Sequence, residues 1–134
     1  MAYLLLWTII ERYCALSFGP KLDPGKKVRK LGEDEAFKRA LQEVIKLPGP
    51  KIYDSRNPKL ALSLDPTNGC KSANYYYGVR SNISHRGKGT WKDGNIVLNA
   101  LTQLENIFTL VLERKGLRRP PSTLGAKHDT PPCQ

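Results

Sequence analysis

Two histidines occur among 134 residues, and one of them, His85, follows Arg80 and Asn82 in a short polar and basic segment. A neutral imidazole, whose ordinary pKa is near ~6.5, can accept and return a proton, a guanidinium can hold an anion, and an amide can orient either partner. Between Asp65 and Asp93 no acidic side chain occurs, whereas five basic ones do: Lys71, Arg80, Arg86, Lys88 and Lys92. This composition predicts a site for an anionic ligand.

The spacing of Arg80 and His85 sets a geometric condition on any joint role. Five residues on a regular helix rotate by about 140° relative to the start. The two side chains therefore converge only if the helix ends between them or if a second subunit brings its copy across. Gly87 and Gly89 favour the first route, and strongly apolar helix faces elsewhere favour the second. The plain alternative is a solvated arginine and a histidine that caps a helix end.

The order Arg80-Ser81-Asn82-Ile83-Ser84-His85, with tyrosines before it and Arg86-Gly87-Lys88 after it, resembles the Arg-x(4–6)-His signature of HEPN domains. The similarity is tightest over residues 75–88 and extends more loosely over 3–115. It implies an all-α fold, a HEPN-like antiparallel bundle of four to five helices with a long loop before the motif helix. It also implies a homodimer whose two motifs face each other.

Active members of that family are ribonucleases that need neither metal nor cofactor, and the resemblance implies the same activity for this chain. Arg80 would then hold the scissile phosphate, Asn82 would position the reacting groups, and His85 would move the proton of a ribose 2′-hydroxyl. RNA is the expected substrate, because only RNA carries that internal nucleophile. We further predict that phosphates of the strand are contacted by Arg86, Lys88 and Lys92.

The related prokaryotic proteins belong to defence, toxin or restriction systems, so an antitoxin or another defence protein is an expected partner. Gly87 stands where some toxin-type members have a tyrosine that an antitoxin modifies. The alternative function is a non-catalytic dimerisation or nucleic-acid-binding module in which the motif is structural. A helix-turn-helix DNA-binding domain fits less well, because the motif helix carries Tyr75, Tyr76 and Tyr77 and no clear recognition face.

The overall composition indicates which class of binding partner and which cellular compartment suit this chain. The chain has 22 Lys and Arg against 12 Asp and Glu, a formal charge of +10, which favours a polyanionic partner or serves solubility alone. Cys14, Cys70 and Cys133 are odd in number and lie in no CxxC spacing, so neither a disulfide framework nor a zinc site is expected. A reducing compartment fits best.

The apolar opening Tyr3–Ile10 has no basic lead-in and no small-residue cleavage site, and it is shorter than the ~20 residues of a membrane span. We therefore expect a cytoplasmic protein without membrane contact. The first helix should run over residues 3–18 and is apolar on nearly every side, so it should be buried in the centre of a bundle or covered by a second subunit. Because the chain begins directly in this helix, a shortened version of a longer relative is expected. Glu11 fits either a buried stripe or, slightly better, a solvent-facing one.

The remaining secondary-structure elements are predicted from hydrophobic periodicity and from residues typical of turns and helix ends. Residues 21–30 are expected as a basic loop, 33–46 as a second helix, and 51–69 as a long loop whose apolar piece 60–64 suits a short strand or turn. A motif helix should span 70–84, with Gly78 as a weak point, and a last helix, capped by Asp93 or Asn95, should end near 115. The domain would cover residues 1–116, and the Pro-rich tail 117–134, with His128, should be disordered.

Overall fold

The computed structural model of the chain describes residues 2–49, 51–54, 57–86 and 91–115, with the backbone alone at 54, 57, 58, 60, 84–86 and 91–94. Its elements in chain order are α1 (Ala2–Phe18), α2 (Pro24–Glu33), α3 (Glu35–Val44), β1 (Lys51–Asp54), β2 (Asn57–Ser63), α4 (Gly69–Arg86) and α5 (Trp91–Arg114). The all-α class is confirmed at this coarse level. The predicted tail, with His128, lies outside the described residues.

Helix α4 is the centre of the fold, since the other four helices and both strands pack against it. Two tyrosine hydroxyls tie it to its neighbours. The Tyr3 hydroxyl of α1 donates to the Tyr76 carbonyl at 2.8 Å, and the Tyr76 hydroxyl donates to Gln103 Oε1 of α5 at 2.9 Å. A phenol can be buried this deeply because its hydroxyl keeps a hydrogen-bond partner. Part of the tyrosine run before the motif therefore belongs to the core.

A cluster of aromatic rings joins α3 and α5 to α1. Phe37 and Phe108 lie 6.1 Å apart between ring centroids, and Tyr13 meets Phe108 edge to face at 5.7 Å. The Tyr13 hydroxyl donates to a carboxylate oxygen of Asp34, whose other oxygen lies 3.8 Å from Lys115 Nζ. These contacts fix the end of α5 beside the start of α3, so the last helix closes the core.

The expected basic loop over residues 21–30 is wrong, because most of it forms α2. Asp23 has an extended backbone, and its side chain accepts a hydrogen bond from the Lys26 N–H at 2.9 Å, while Pro24 occupies the first turn. Both residues are typical of a helix start. Val28 and Leu31 then face the core, at 4 % and 1 % exposure. Asp-Pro-Gly resembles a turn in sequence, yet here Asp23-Pro24 is an N-cap.

The predicted long loop contains an antiparallel hairpin of β1 and β2, with Ile52 opposite Leu62 and Tyr53 opposite Ala61. Ile52 is buried, and Tyr53 is 55 % exposed, so the two faces alternate as expected for a half-buried strand. The hairpin lies on α4 at Gly78, where a Cβ would stand 3.3 Å from Ile52 Cδ1 and would also meet Leu62. Gly78, predicted as a weak point, is what lets the hairpin approach.

Two further expectations are corrected. Helix α5 begins at Trp91, so Asp93 and Asn95 lie inside it and neither is its N-cap; such residues are favourable both at the cap and in the first turn, and sequence alone does not separate the two. Cys14 is a buried free thiol, whereas Cys70 is disulfide-bonded. Sequence spacing does not reveal such pairings.

Helix α1 buries one side and exposes apolar residues on the other. Trp7 and Ile10 are buried, Thr8 and Arg12 are exposed, and Glu11 is half-buried, so neither interpretation of Glu11 is decided. Three large apolar side chains nevertheless face outward with high exposure: Leu5 at 68 %, Ile9 at 50 % and Leu16 at 74 %. Helical spacing places all three within about 40° of one another, so they form an apolar stripe.

Among the described residues, one segment is long and apolar enough to cross a membrane by length and composition, Asn95–Arg114 of α5, with 28 % of its most apolar window buried. The same helix packs against α3 and α1. The absence of membrane contact stays a prediction.

Candidate functional site

Arg80, Asn82 and His85 all lie on α4, which continues without interruption to Arg86. The helix therefore does not end between Arg80 and His85, and the first of the two routes to their convergence is not taken. On this continuous helix the two positions are about 140° apart around the axis. The two positions therefore face different sides of α4, and convergence through a second subunit stays a prediction.

Arg80 is half-buried and lies beside an aromatic ring. Its guanidinium carbon is 5.9 Å from the centroid of Tyr77, one turn earlier on α4, and Tyr77 in turn packs on Trp7 of α1 at 5.7 Å. A cation over a ring face at this distance is weakly attracted and is restricted in orientation. No carboxylate in the described part of the chain pairs with Arg80. The cation is therefore positioned by an aromatic ring and not neutralised there.

Asn82 belongs to a different face of α4. Its Nδ2 donates to the Tyr53 carbonyl of β1 at 2.9 Å, which ties the helix to the hairpin next to Gly78. Asn82 and Arg80 are two residues apart, a rotation of about 200° on a helix, so their side chains leave the axis on nearly opposite sides. The structure does not bring the predicted pair together, and it gives the Asn82 amide a clear structural contact.

Between them, Ser81 is 1 % exposed, and its hydroxyl has no hydrogen-bond partner in the described part of the chain. A buried hydroxyl without a partner costs roughly 1–3 kcal/mol, so it is a feature that stability alone does not explain. Sequence reasoning missed Ser81, and it also missed Tyr53 and Tyr77, the two residues that hold Asn82 and Arg80. The contact of Tyr77 with Arg80 lies within one helical turn and follows from their spacing, whereas no local signal marks the contact of Asn82 with Tyr53, 29 residues away.

Two of the tyrosines beside the motif, Tyr75 and Tyr76, are buried phenols. Burial raises the pKa of Tyr75 to about 12, and burial raises that of Tyr76 further, with a smaller contribution from Tyr75. Both phenols therefore stay neutral at physiological pH.

The remaining site predictions fall mostly outside the described residues. The side chains of His85, Arg86 and Lys92 are not described, although their backbones are helical, and Lys88 is not described at all. In the part of the chain that is described, no three His, Cys, Asp or Glu side chains come together where they could hold a metal ion.

Comparisons of the chain with protein-family models, with characterised proteins and with solved structures gave no match. The resemblance to HEPN domains is thus carried by the motif residues themselves.

The contact of Asn82 with the hairpin gives a first prediction. Asn82→Ala should lower the free energy of unfolding by about 1–2 kcal/mol, because the Tyr53 carbonyl loses its donor. Urea unfolding followed by circular dichroism measures this, with Asn74→Ala, an exposed amide on the same helix, as the control. Equal stability of the two variants would show that the Asn82 bond contributes nothing to the stability of the fold.

Proposed function

We propose that this chain is an RNA-binding domain similar to HEPN domains, and that it cleaves RNA without a metal when two copies assemble. The observation that carries the proposal is the state of Arg80, a guanidinium oriented by Tyr77 and paired with no described carboxylate. Such a cation is suited to a phosphate, because a guanidinium can donate two parallel hydrogen bonds to it. The formal charge of +10 adds a general attraction to RNA.

The chemistry needs one proton acceptor and one anion-binding group at the same phosphate. The imidazole of His85 would take the proton of the 2′-hydroxyl, whose oxygen attacks the phosphorus, and the bond to the 5′-oxygen breaks as that oxygen gains a proton. Arg80 would stabilise the charge on the phosphate oxygens. The products are a 2′,3′-cyclic phosphate and a 5′-hydroxyl.

Because α4 is continuous, we propose a composite site, in which Arg80 comes from one copy of the chain and His85 from the other. The apolar stripe Leu5, Ile9 and Leu16 supports a homodimer, because a stripe of this kind on a surface helix is typical of a covered face. A defence or toxin setting, with an antitoxin or related partner in the cytoplasm, rests on the motif resemblance alone.

A second candidate is a module that binds RNA and does not cleave it. The bond from Asn82 to the Tyr53 carbonyl favours it, because an amide engaged in holding the hairpin is less available to a substrate. In this case the motif residues maintain the fold, and binding depends on basic side chains.

The test common to both candidates is direct binding. We expect the purified chain to bind a fluorescent 20-nucleotide RNA of mixed sequence with little sequence preference and with an affinity that falls steeply as KCl rises. Fluorescence anisotropy titrations at four salt concentrations measure this. An affinity below detection at low salt would refute RNA binding itself.

A further inference from the structure

A second basic surface lies apart from the motif, where α2 passes over the first half of α4. The two helices are closest at Gly32 and Cys70, where a Cβ on Gly32 would stand 2.5 Å from the Cys70 Cα. Towards the start of α2 they leave an open groove of about 350 Å³, lined by Asp23, Gly25, Lys26, Arg29 and Asn74. Because Gly32 lies against Cys70 while Arg29 and Lys26 lie near Asn74, the helices run in opposite directions.

Positive charge dominates this groove and its rim. Lys26, Arg29 and Lys30 are exposed on one side of α2, and Lys71 is exposed near the start of α4. These cations outnumber the two described acidic residues of this surface, Asp23 and Glu33. Asp23 accepts the Lys26 N–H at 2.9 Å as the N-cap of α2, and Glu33 lies 4.0 Å from Lys30 Nζ. The local excess of cations predicts a positive potential along the groove.

The groove is suited to a phosphodiester backbone and not to a lipid surface. Surface-binding helices place large apolar residues beside their basic ones, but the exposed large apolar residues lie on other elements: Leu5, Ile9, Leu16, Leu47, Tyr53 and Leu98. Among the described residues, the lining also contains no aromatic ring on which a base could stack. Basic side chains with one amide, Asn74, can contact phosphate and sugar oxygens, which fix a strand without reading its sequence.

We propose that the groove between α2 and α4 binds the backbone of an RNA strand as a contact surface distinct from the motif. Asn74 and Arg80 are six residues apart, about 9 Å along the α4 axis and about 120° apart around it. One strand can therefore reach both only by crossing the surface of α4. The proposal rests on the proposed RNA binding and adds where the strand is held.

The test compares two triple variants that remove the same charge. Lys26→Gln, Arg29→Gln and Lys30→Gln together change the groove, while Arg39→Gln, Lys46→Gln and Lys51→Gln change exposed cations on α3, just after it and at the start of β1. For a single strand, the slope of log Kd against log salt concentration falls by about 0.7 for each phosphate contact that is removed. The slope of the groove variant should therefore be smaller than that of the wild type by about 2. We expect its affinity at 100 mM KCl to fall by about tenfold or more, and that of the control to change less than about threefold.

A single variant inside the groove gives an independent readout. Asn74→Asp should weaken RNA binding and Asn74→Lys should strengthen it, since position 74 is exposed and tolerates either side chain. Circular dichroism of each variant checks that the helices are intact. Equal losses in the two triple variants would mean that only net charge matters and would overturn the groove. Unchanged RNA binding, with lost binding to vesicles of phosphatidylserine and phosphatidylcholine, would assign the groove to lipid instead.

This experiment distinguishes failure of the proposed RNA binding from failure of the groove proposal. A wild-type chain that does not bind RNA refutes the proposed function, and the groove proposal with it. A wild-type chain that binds RNA, with a groove variant indistinguishable from the control variant, refutes the groove alone.

Discussion

His85→Ala and Arg80→Ala should each lower RNA cleavage by about 10²–10⁴-fold, because general acid–base help and stabilisation of the phosphate charge are typically worth that much. Cleavage by the wild-type chain should persist in EDTA and leave 2′,3′-cyclic phosphate and 5′-hydroxyl ends. Gel analysis of a labelled RNA, with the ends tested by phosphatase and kinase treatment, measures both. Circular dichroism confirms that the variants remain helical.

Because α4 is continuous, we also expect a specific result when the Arg80 and His85 variants are mixed. If each site combines Arg80 of one copy with His85 of the other, a mixed dimer of the two single variants contains one intact site and one doubly altered site. An equal mixture, refolded together so that subunits exchange, should then recover about a quarter of the wild-type activity, since half of the dimers are mixed and each has one of two sites. A site formed within one chain would recover nothing.

Three results would contradict this mechanism. Wild-type protein that binds RNA but leaves it intact would favour the non-catalytic module. Activity that requires Mg²⁺ would point to different chemistry, as residues 75–88 contain no carboxylate to hold the metal. A wild-type chain that sediments as a monomer at micromolar concentration while still cleaving RNA would remove the need for a second copy.

The sequence predicted most helices because their signals are local. Residues 3–18, 33–46 and 70–84 have helical spacing or clear stop signals, and the structure places α1, α3 and α4 there within a few residues. The prediction from sequence is wrong at α2. Asp23-Pro24 resembles a turn, and the basic residues around Val28 and Leu31 obscure the fact that these two side chains are buried. In such a short helix two buried side chains, not overall polarity, determine the element.

The candidate site was predictable in its residue types and not in its geometry. Arg80 and Asn82 are neighbours in sequence, but what each contacts is set by Tyr77 with α1 and by Tyr53 in the hairpin. The hairpin packs close to α4 at Gly78, a contact between positions distant in sequence. The direction of a side chain on a helix follows from spacing, whereas its partner depends on how the elements pack.

The close approach of α2 and α4 gives the last prediction, which concerns stability. Gly32→Ala should lower the free energy of unfolding by about 1–3 kcal/mol, the usual cost of overpacking, even though alanine gains up to about 1 kcal/mol over glycine inside a helix. The new Cβ would stand 2.5 Å from the Cα and 2.9 Å from the nitrogen of Cys70, and backbone atoms cannot rotate away as a flexible side chain can.

Gly25→Ala on the same helix is the matched control. Its Cβ would meet only Asp23 Oδ1, at an ordinary contact distance of 3.5 Å, so the alanine should leave stability unchanged or raise it slightly. Urea unfolding of both variants beside the wild type measures the difference. If Gly32→Ala were as stable as Gly25→Ala, the helices would not pack at Gly32, and the groove that begins beyond this contact would lose its structural basis.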